Sequence, residues 1–210
     1  MTDKKSSRRV QFTRDSLRSA LVDLTAEKPL ADITVTDICA RADINRSTFY
    51  LHYQGVHELI REMEEQLIAH MRESLAPSQL TQDNFAAFLN AVRASPRLRA
   101  LMTSLLGEQG DPQFVRQVQQ LTFDIFQQAW KDHPPVIPNL NEGHKSLIYS
   151  YLISSTVFTL SAWVRGEIPE LDACETVELL GRLICHGVNS ILPRPPSAAK
   201  GDFWFQAPTQ

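Results

Sequence analysis

The chain has 210 residues, 43% of them hydrophobic, with 21 Lys and Arg against 24 Asp and Glu for a formal net charge of −3. That is enough apolar sequence for one or two small domains with a real core, and the slightly negative charge excludes indiscriminate coating of nucleic acid. Three widely spaced cysteines, Cys39, Cys174 and Cys185, make no disulfide framework, and the polar, basic start is not followed by an apolar segment; a reducing cytoplasm is the expected setting.

The first stretch, to about Gln11, reads as a basic arm. Residues 1–18 hold Lys4, Lys5, Arg8, Arg9, Arg14 and Arg18 against only Asp3 and Asp15, whereas residues 61–210 are acidic on balance. Alone such an asymmetry reads as a solvated terminus; next to a helix-turn-helix it suits a localised nucleic-acid-binding end, with Arg8 and Arg9 touching the backbone. Thr13 to Glu27 reads as a first helix with Leu17, Ala20, Leu21 and Leu24 on one face, and Lys28-Pro29 ends it. Thr34 then offers an N-cap to a short helix with Val35, Ile38, Cys39 and Ala42 at helical spacing. Asp43-Ile44 interrupts, Asn45 offers a second N-cap, and Arg46 to Tyr50 forms a second short helix. Two short helices joined by a tight turn make a helix-turn-helix, whose second helix enters the DNA major groove. At about 100° per residue, Arg46, Ser47 and Tyr50 share one arc while Phe49 points to the core. Arg bonds guanine bidentately, Ser and Thr read several base edges, and Tyr reaches phosphate. The DNA-contacting set is Thr34, Thr36, Arg46, Ser47, Thr48, Tyr50 and His52.

A longer helix follows from Gly55 to about Ser74, with Leu59, Ile60, Met63, Leu67 and Met71 as its stripe and Pro77 beyond it. It links the first 54 residues to the rest, so its tilt can carry a signal. Gln82 to Ala94 and Pro96 to Leu106 are further helices; Asp111-Pro112 is a helix start with Pro at the first position, and that helix runs to about Lys131. After a proline-rich break, Asn141 to about Arg165 is a long apolar helix ended by Gly166; it has about the length of a membrane span, but its Ser and Thr residues favour a buried helix without a membrane. Asp172 to Leu192 is the last helix, and the tail from Pro193 is rich in Pro, Ala and Ser, with Phe203-Trp204-Phe205 within it. The pattern is all-α: a helix-turn-helix head over residues 1–54 (motif 34–53), a helical body over 55–192 and a tail over 193–210.

The segment Ile38, Ala42, Ile44, Ser47-Thr48-Phe49-Tyr50, His52-Tyr53 and Glu58-Leu59 resembles the TetR family of bacterial transcriptional regulators. Leu105 to Phe114 (LLGEQGDPQF) and Trp163…Gly166 are similar to a subgroup that includes dihydroxyacetone-kinase regulators. Two positions depart from the family pattern. Asp43 stands where the turn usually has Gly, and Asp tolerates the left-handed conformation better than most residues. Val56 stands where the next helix usually starts with Lys, which removes a phosphate contact.

The last helix carries the stripe Val177, Leu180, Ile184 and Val188, with Gly181 permitting close approach. The stripe suits a monomer core or a two-fold seam; the resemblance implies the seam, in a homodimer whose two heads cover a palindrome. The resemblance also implies a small-molecule pocket. Phe88, Met102, Phe123, Phe126, Trp130 and Tyr151 are the candidates, although each taken by itself reads first as a helical core residue. Nothing points to an enzyme or a cofactor: Cys185 and His186 are adjacent on a helix and diverge by about 100°, no paired CxxC spacing exists, and no phosphate-cradling glycine motif exists. The expected function is a ligand-responsive DNA-binding regulator, a repressor, acting as a dimer on double-stranded DNA. The alternative is a relative with weakened DNA binding that acts through a protein partner.

Overall fold

The first helix extends well beyond its apolar stripe. In the computed structural model α1 runs Asp3–Thr25, so the basic segment expected as an arm is the leading part of the same helix. Nothing between Asp3 and Thr25 is Gly or Pro, and a polar helix leaves no apolar periodicity to be read. The structure describes residues 3–76, 81–107, 110–129 and 141–191, with side chains over 8–76, 81–107, 110–127 and 141–184. Among them are nine α-helices and no strand, the expected all-α class. Pro77, Trp130, the side chains of Cys185, His186 and Val188, and the segment Phe203-Trp204-Phe205 lie outside the described residues.

After a short 3-10 turn at Leu30–Asp32 come α2 (Val35–Ala42), α3 (Arg46–Tyr50), α4 (Val56–Ser74), α5 (Gln82–Ala94), α6 (Pro96–Leu106), α7 (Pro112–Ala129), α8 (Glu142–Arg165) and α9 (Ala173–Ile191). The chain groups into two compact units, Met1–His70 with Ser95–Val115, and Met71–Ala94 with Arg116–Gln210.

In the first unit α1 packs on α2 and α6. Leu17, Ala20, Leu21 and Leu24 are all buried, as their spacing implies. Arg97 on α6 reaches back to α1, with its guanidinium 2.8 Å from Asp23. On α4 the buried face is Leu59, Ile60, Met63, Glu64 and Ile68, while Leu67 and Met71 are only half-buried. The stripe thus turns toward Ile68, and it takes a carboxylate, Glu64, inside.

In the second unit α5 packs on α9 and α8 through Ala86, Leu89 and Val92. Trp163 is the largest fully buried side chain among its described residues, with its indole N–H donating to the Leu171 carbonyl at 2.9 Å and the Arg93 guanidinium 4.4 Å above its ring. Gly166 ends α8 at φ 83, where its N–H and that of Glu167 close back on Trp163 and Ala162. The Trp163…Gly166 signature is therefore a structural lock between the end of α8 and the start of α9. Asn141 caps α8 in a reciprocal pair with His144.

Two expectations for this unit are corrected. Val177 and Ile184 are 3% and 6% exposed within the single chain, so they belong to its own core; Leu180 and Gly181 are half-buried. Helix α8 is not a buried helix either: only 28% of its most apolar window is buried, and Leu147, Tyr151 and Phe158 are each about 70% exposed. It is the one described helix long and apolar enough to cross a membrane by length and composition. Its exposed line, Leu147, Tyr151 and Phe158, recurs at spacings of four and seven. Leu179 and Leu183 make a second exposed line on α9.

Candidate nucleic-acid interface

Thr34 caps α2 as its position implies. Its hydroxyl accepts the Asp37 N–H at 3.2 Å, and the Asp37 carboxylate accepts from the Thr34 N–H at 2.8 Å and hydroxyl at 2.6 Å. Lys28 adds an ion pair to Asp37 at 2.7 Å, and this bond, followed by those from Thr34, holds the carboxyl far below its usual range. Arg41 closes the same edge on Glu27 at 2.7 Å. The end of α1 and the start and end of α2 are thereby tied together. Thr34 is exposed, but its hydroxyl is already engaged in this cap; Thr36 is exposed.

The turn works through Asp43, whose φ of 53 and ψ of 46 lie in the left-handed region. Asp supplies what glycine usually does, at a modest steric cost. The Ile44 N–H returns to the Cys39 carbonyl at 3.0 Å. Asn45 has the extended backbone of an N-cap without a side-chain cap bond.

Phe49 anchors α3. It is fully buried, edge-on to Tyr50 at 5.6 Å and 5.7 Å from the Tyr53 ring. With that residue fixed inward, the opposite arc faces solvent: Arg46 and Ser47 are exposed, Tyr50 is 51% exposed, and Thr48 and His52 are half-buried. The structure therefore brings Arg46, Ser47 and Tyr50 onto one outward surface, flanked by Thr48 and His52.

Behind α3, Tyr53 is 2% exposed, with its hydroxyl pushed up to about 12 by burial and then by the Glu62 charge. Arg14 lies over its ring at 5.5 Å. Arg14 and Arg18 each reach Glu62 on α4 at 3.2 Å, and Arg18 also holds Asp15 at 2.6 Å. Two of the six basic residues counted toward the N-terminal charge are thus spent inside the head, joining α1 to α4. Arg8 and Arg9 remain exposed on the leading turns of α1.

Sequence reasoning missed three residues here. Leu51 is 82% exposed directly after Tyr50; its spacing of four from Ser47 was the available signal. Glu62 was hidden because the partners of a charged residue cannot be read from periodicity. Glu64 looked like a surface charge and is 3% exposed. The expected pocket residues are divided between the two units. Met102 falls in the first unit; Phe88, Phe123, Phe126 and Tyr151 fall in the second. Phe126 is buried, Phe88 and Phe123 are half-buried with Phe123 edge-on to Tyr149, and Tyr151 at 71% exposed lines no interior. An open groove of about 590 Å³ lies elsewhere, between α1 and α4, lined by Arg14, Glu58, Arg61, Glu62, Glu65, Gln66 and Ala69.

The sequence model of a TetR-type transcriptional regulator C-terminal region matches residues 82–184, which follow in the chain the helix-turn-helix just described. The chain belongs to the TetR family of transcriptional regulators. Its head and body follow the TetR fold in a solved TetR regulator from Streptococcus agalactiae 2603V, at a TM-score of 0.67 and 20% identity over 90% of this chain and 98% of that one. The dihydroxyacetone kinase operon activator DhaS aligns at a TM-score of 0.59 and 17% identity over 86% of this chain and 98% of that one. NalD of Pseudomonas aeruginosa, described as the secondary repressor of the MexAB-OprM multidrug efflux pump, aligns at 0.57 and 18% over 87% and 98%. A curated relative, the uncharacterized HTH-type transcriptional regulator YxbF of Bacillus subtilis (strain 168), is 36% identical over 84 residues, 38% of this chain and 22% of that protein. The match therefore spans about a fifth of that relative's length.

Proposed function

We propose that this TetR-family regulator is a ligand-responsive repressor that binds a palindromic operator as a homodimer, with residues 1–54 as its reading head, 55–192 as its regulatory body and 193–210 as a tail. The observation that carries the reading is the outward arc of Arg46, Ser47 and Tyr50 on a helix fixed by buried Phe49. One five-residue helix covers few base pairs, and two heads roughly 34–36 Å apart cover successive major grooves. The exposed lines Leu147–Tyr151–Phe158 and Leu179–Leu183 support pairing through α8 and α9, by a face other than the Val177–Ile184 stripe. Repressors and an operon activator both occur among the similar structures, and FadR of Thermus thermophilus was solved with lauroyl-CoA. An effector that favours one spacing of the two heads lowers operator affinity by its differential affinity for that state. A cytoplasmic location follows from this role.

The test is an electrophoretic shift with the DNA flanking the protein's own gene, repeated with Arg46→Ala. The variant is expected to lose about 1–3 kcal/mol per half-site and to relax preference at one base position. Equal binding by Arg46→Ala would remove Arg46 as a base reader. Absence of any shift with the wild type would favour action through a protein partner.

A further inference from the structure

Leu51 is the most solvent-exposed of the large apolar side chains among the described residues, at 82%, and it stands at the edge of the arc of Arg46, Tyr50 and Ser47. Its φ of −74 and ψ of −18 keep it in helical geometry, and its N–H donates to the Thr48 carbonyl at 3.2 Å. Helical phase therefore carries through it. One turn after Ser47, its side chain is displaced from that of Ser47 by about 40° around the axis, as Tyr50 is from Arg46. The aromatic residues on either side explain why it is not inside: Phe49 and Tyr53, at 0% and 2% exposed, already fill the core beneath α3.

We propose that Leu51 is a specificity-determining residue that seats against the C5-methyl group of a thymine in each half-site. The inference rests on α3 being the DNA-reading helix. A leucine has no hydrogen-bonding group, so it cannot distinguish the donor and acceptor patterns of base edges. The thymine methyl is the one apolar group on the major-groove edges of the four bases, and apolar side chains recognise it by contact. Arg46 and Ser47 supply the polar readout of the same surface, and Leu51 adds a reading that neither of them can make.

The experiment uses the full-length protein and the DNA fragment that it shifts. Each thymine of the half-sites is replaced in turn by deoxyuridine, which keeps the pairing and removes only the methyl. Wild type should lose roughly fourfold in affinity per half-site at one position, the size expected for one buried methyl. Leu51→Ala should bind the thymine operator about that much more weakly and be indifferent to deoxyuridine there, while keeping the Arg46-dependent base preference. Leu51 is exposed, so an unchanged melting temperature is expected to show that the variant is folded. Equal thymine discrimination by Leu51→Ala and wild type would overturn the proposal, as would a wild type that ignores every methyl. A wild type that shifts no DNA would overturn the reading function itself, a result distinct from binding without methyl recognition.

Discussion

Val56 and Glu58 set the charge at the start of α4, beside the recognition helix. The first turn of a helix, with its free N–H groups and positive dipole end, suits a phosphate. Here Val56 brings no charge, and the Glu58 carboxylate already accepts the Gln54 N–H at that end. With Arg14 and Arg18 held by Glu62, the proposed backbone contact is expected from the exposed Arg8 and Arg9. Val56→Lys is expected to tighten binding to specific and nonspecific DNA alike, because phosphate contacts carry no sequence information. With one new contact per half-site, the salt dependence of operator affinity should steepen by roughly 1.8 units of log K per log salt. Removing Arg8 and Arg9 together should flatten it by as much or more. A salt titration of the three proteins measures both, and an unchanged slope in Val56→Lys would place this helix end away from the backbone.

At the scale of an element, α4 carries a carboxyl group that the head does not neutralise. Glu64 is 3% exposed, and among the described residues no donor reaches its Oε1. Burial, then the charge of Asp111 at the start of α7, pushes its pKa up to about 7; Glu65 acts in the same direction, and Arg61 opposes. The native state therefore holds this proton over a range where the unfolded chain has lost it. Stability must fall as pH rises from about 4.5 to about 7, with the full cost, on the order of 3 kcal/mol, present above that range. Melting curves from pH 5 to 8 should show Glu64→Gln gaining on wild type as pH rises, and a constant difference would mean that Glu64 does not titrate in this window. Several helix boundaries were legible because their caps are local chemistry: the Thr34 cap and the starts at Asn141, Pro96 and Pro112 are all as the sequence implies. The extent of α1 was not, because Lys4 to Arg9 is polar, and apolar periodicity is blind to polar helices. The inward turn of Glu64 depends on where α4 meets its neighbours, and a single helix does not encode that. The reading arc was legible for Arg46, Ser47 and Tyr50 because Phe49 fixes the phase.

For the whole molecule the proposed homodimer raises the question of which face of α9 it would use. An amphipathic stripe looks the same in sequence whether it is buried by its own chain or by another, and Val177 and Ile184 turn out to be buried by their own. The exposed Leu147, Tyr151, Phe158, Leu179 and Leu183 are then the surface that the proposed pairing would cover. Phe158→Asp and Leu183→Asp are expected to give folded monomers in sedimentation at micromolar concentration, with helical content intact. Ile184→Asp should unfold the second unit instead, since it buries an unpaired charge. A folded, dimeric Phe158→Asp, Leu183→Asp double variant would move the pairing face elsewhere.

The continuity of α1 has a mechanical consequence. Arg8 and Arg9 ride on a stiff rod clamped at Arg14 and Arg18, so under the proposed function they would meet DNA at a fixed angular phase rather than by searching on a tether. One alanine inserted between Val10 and Gln11 leaves every charge in place, yet swings both arginines by about 100° around the rod. Operator affinity should drop nearly as far as when the two arginines are removed. A four-alanine insertion, which brings them back to within about 40°, should recover part of the loss despite carrying them about 6 Å farther out. A loose tether would register neither change.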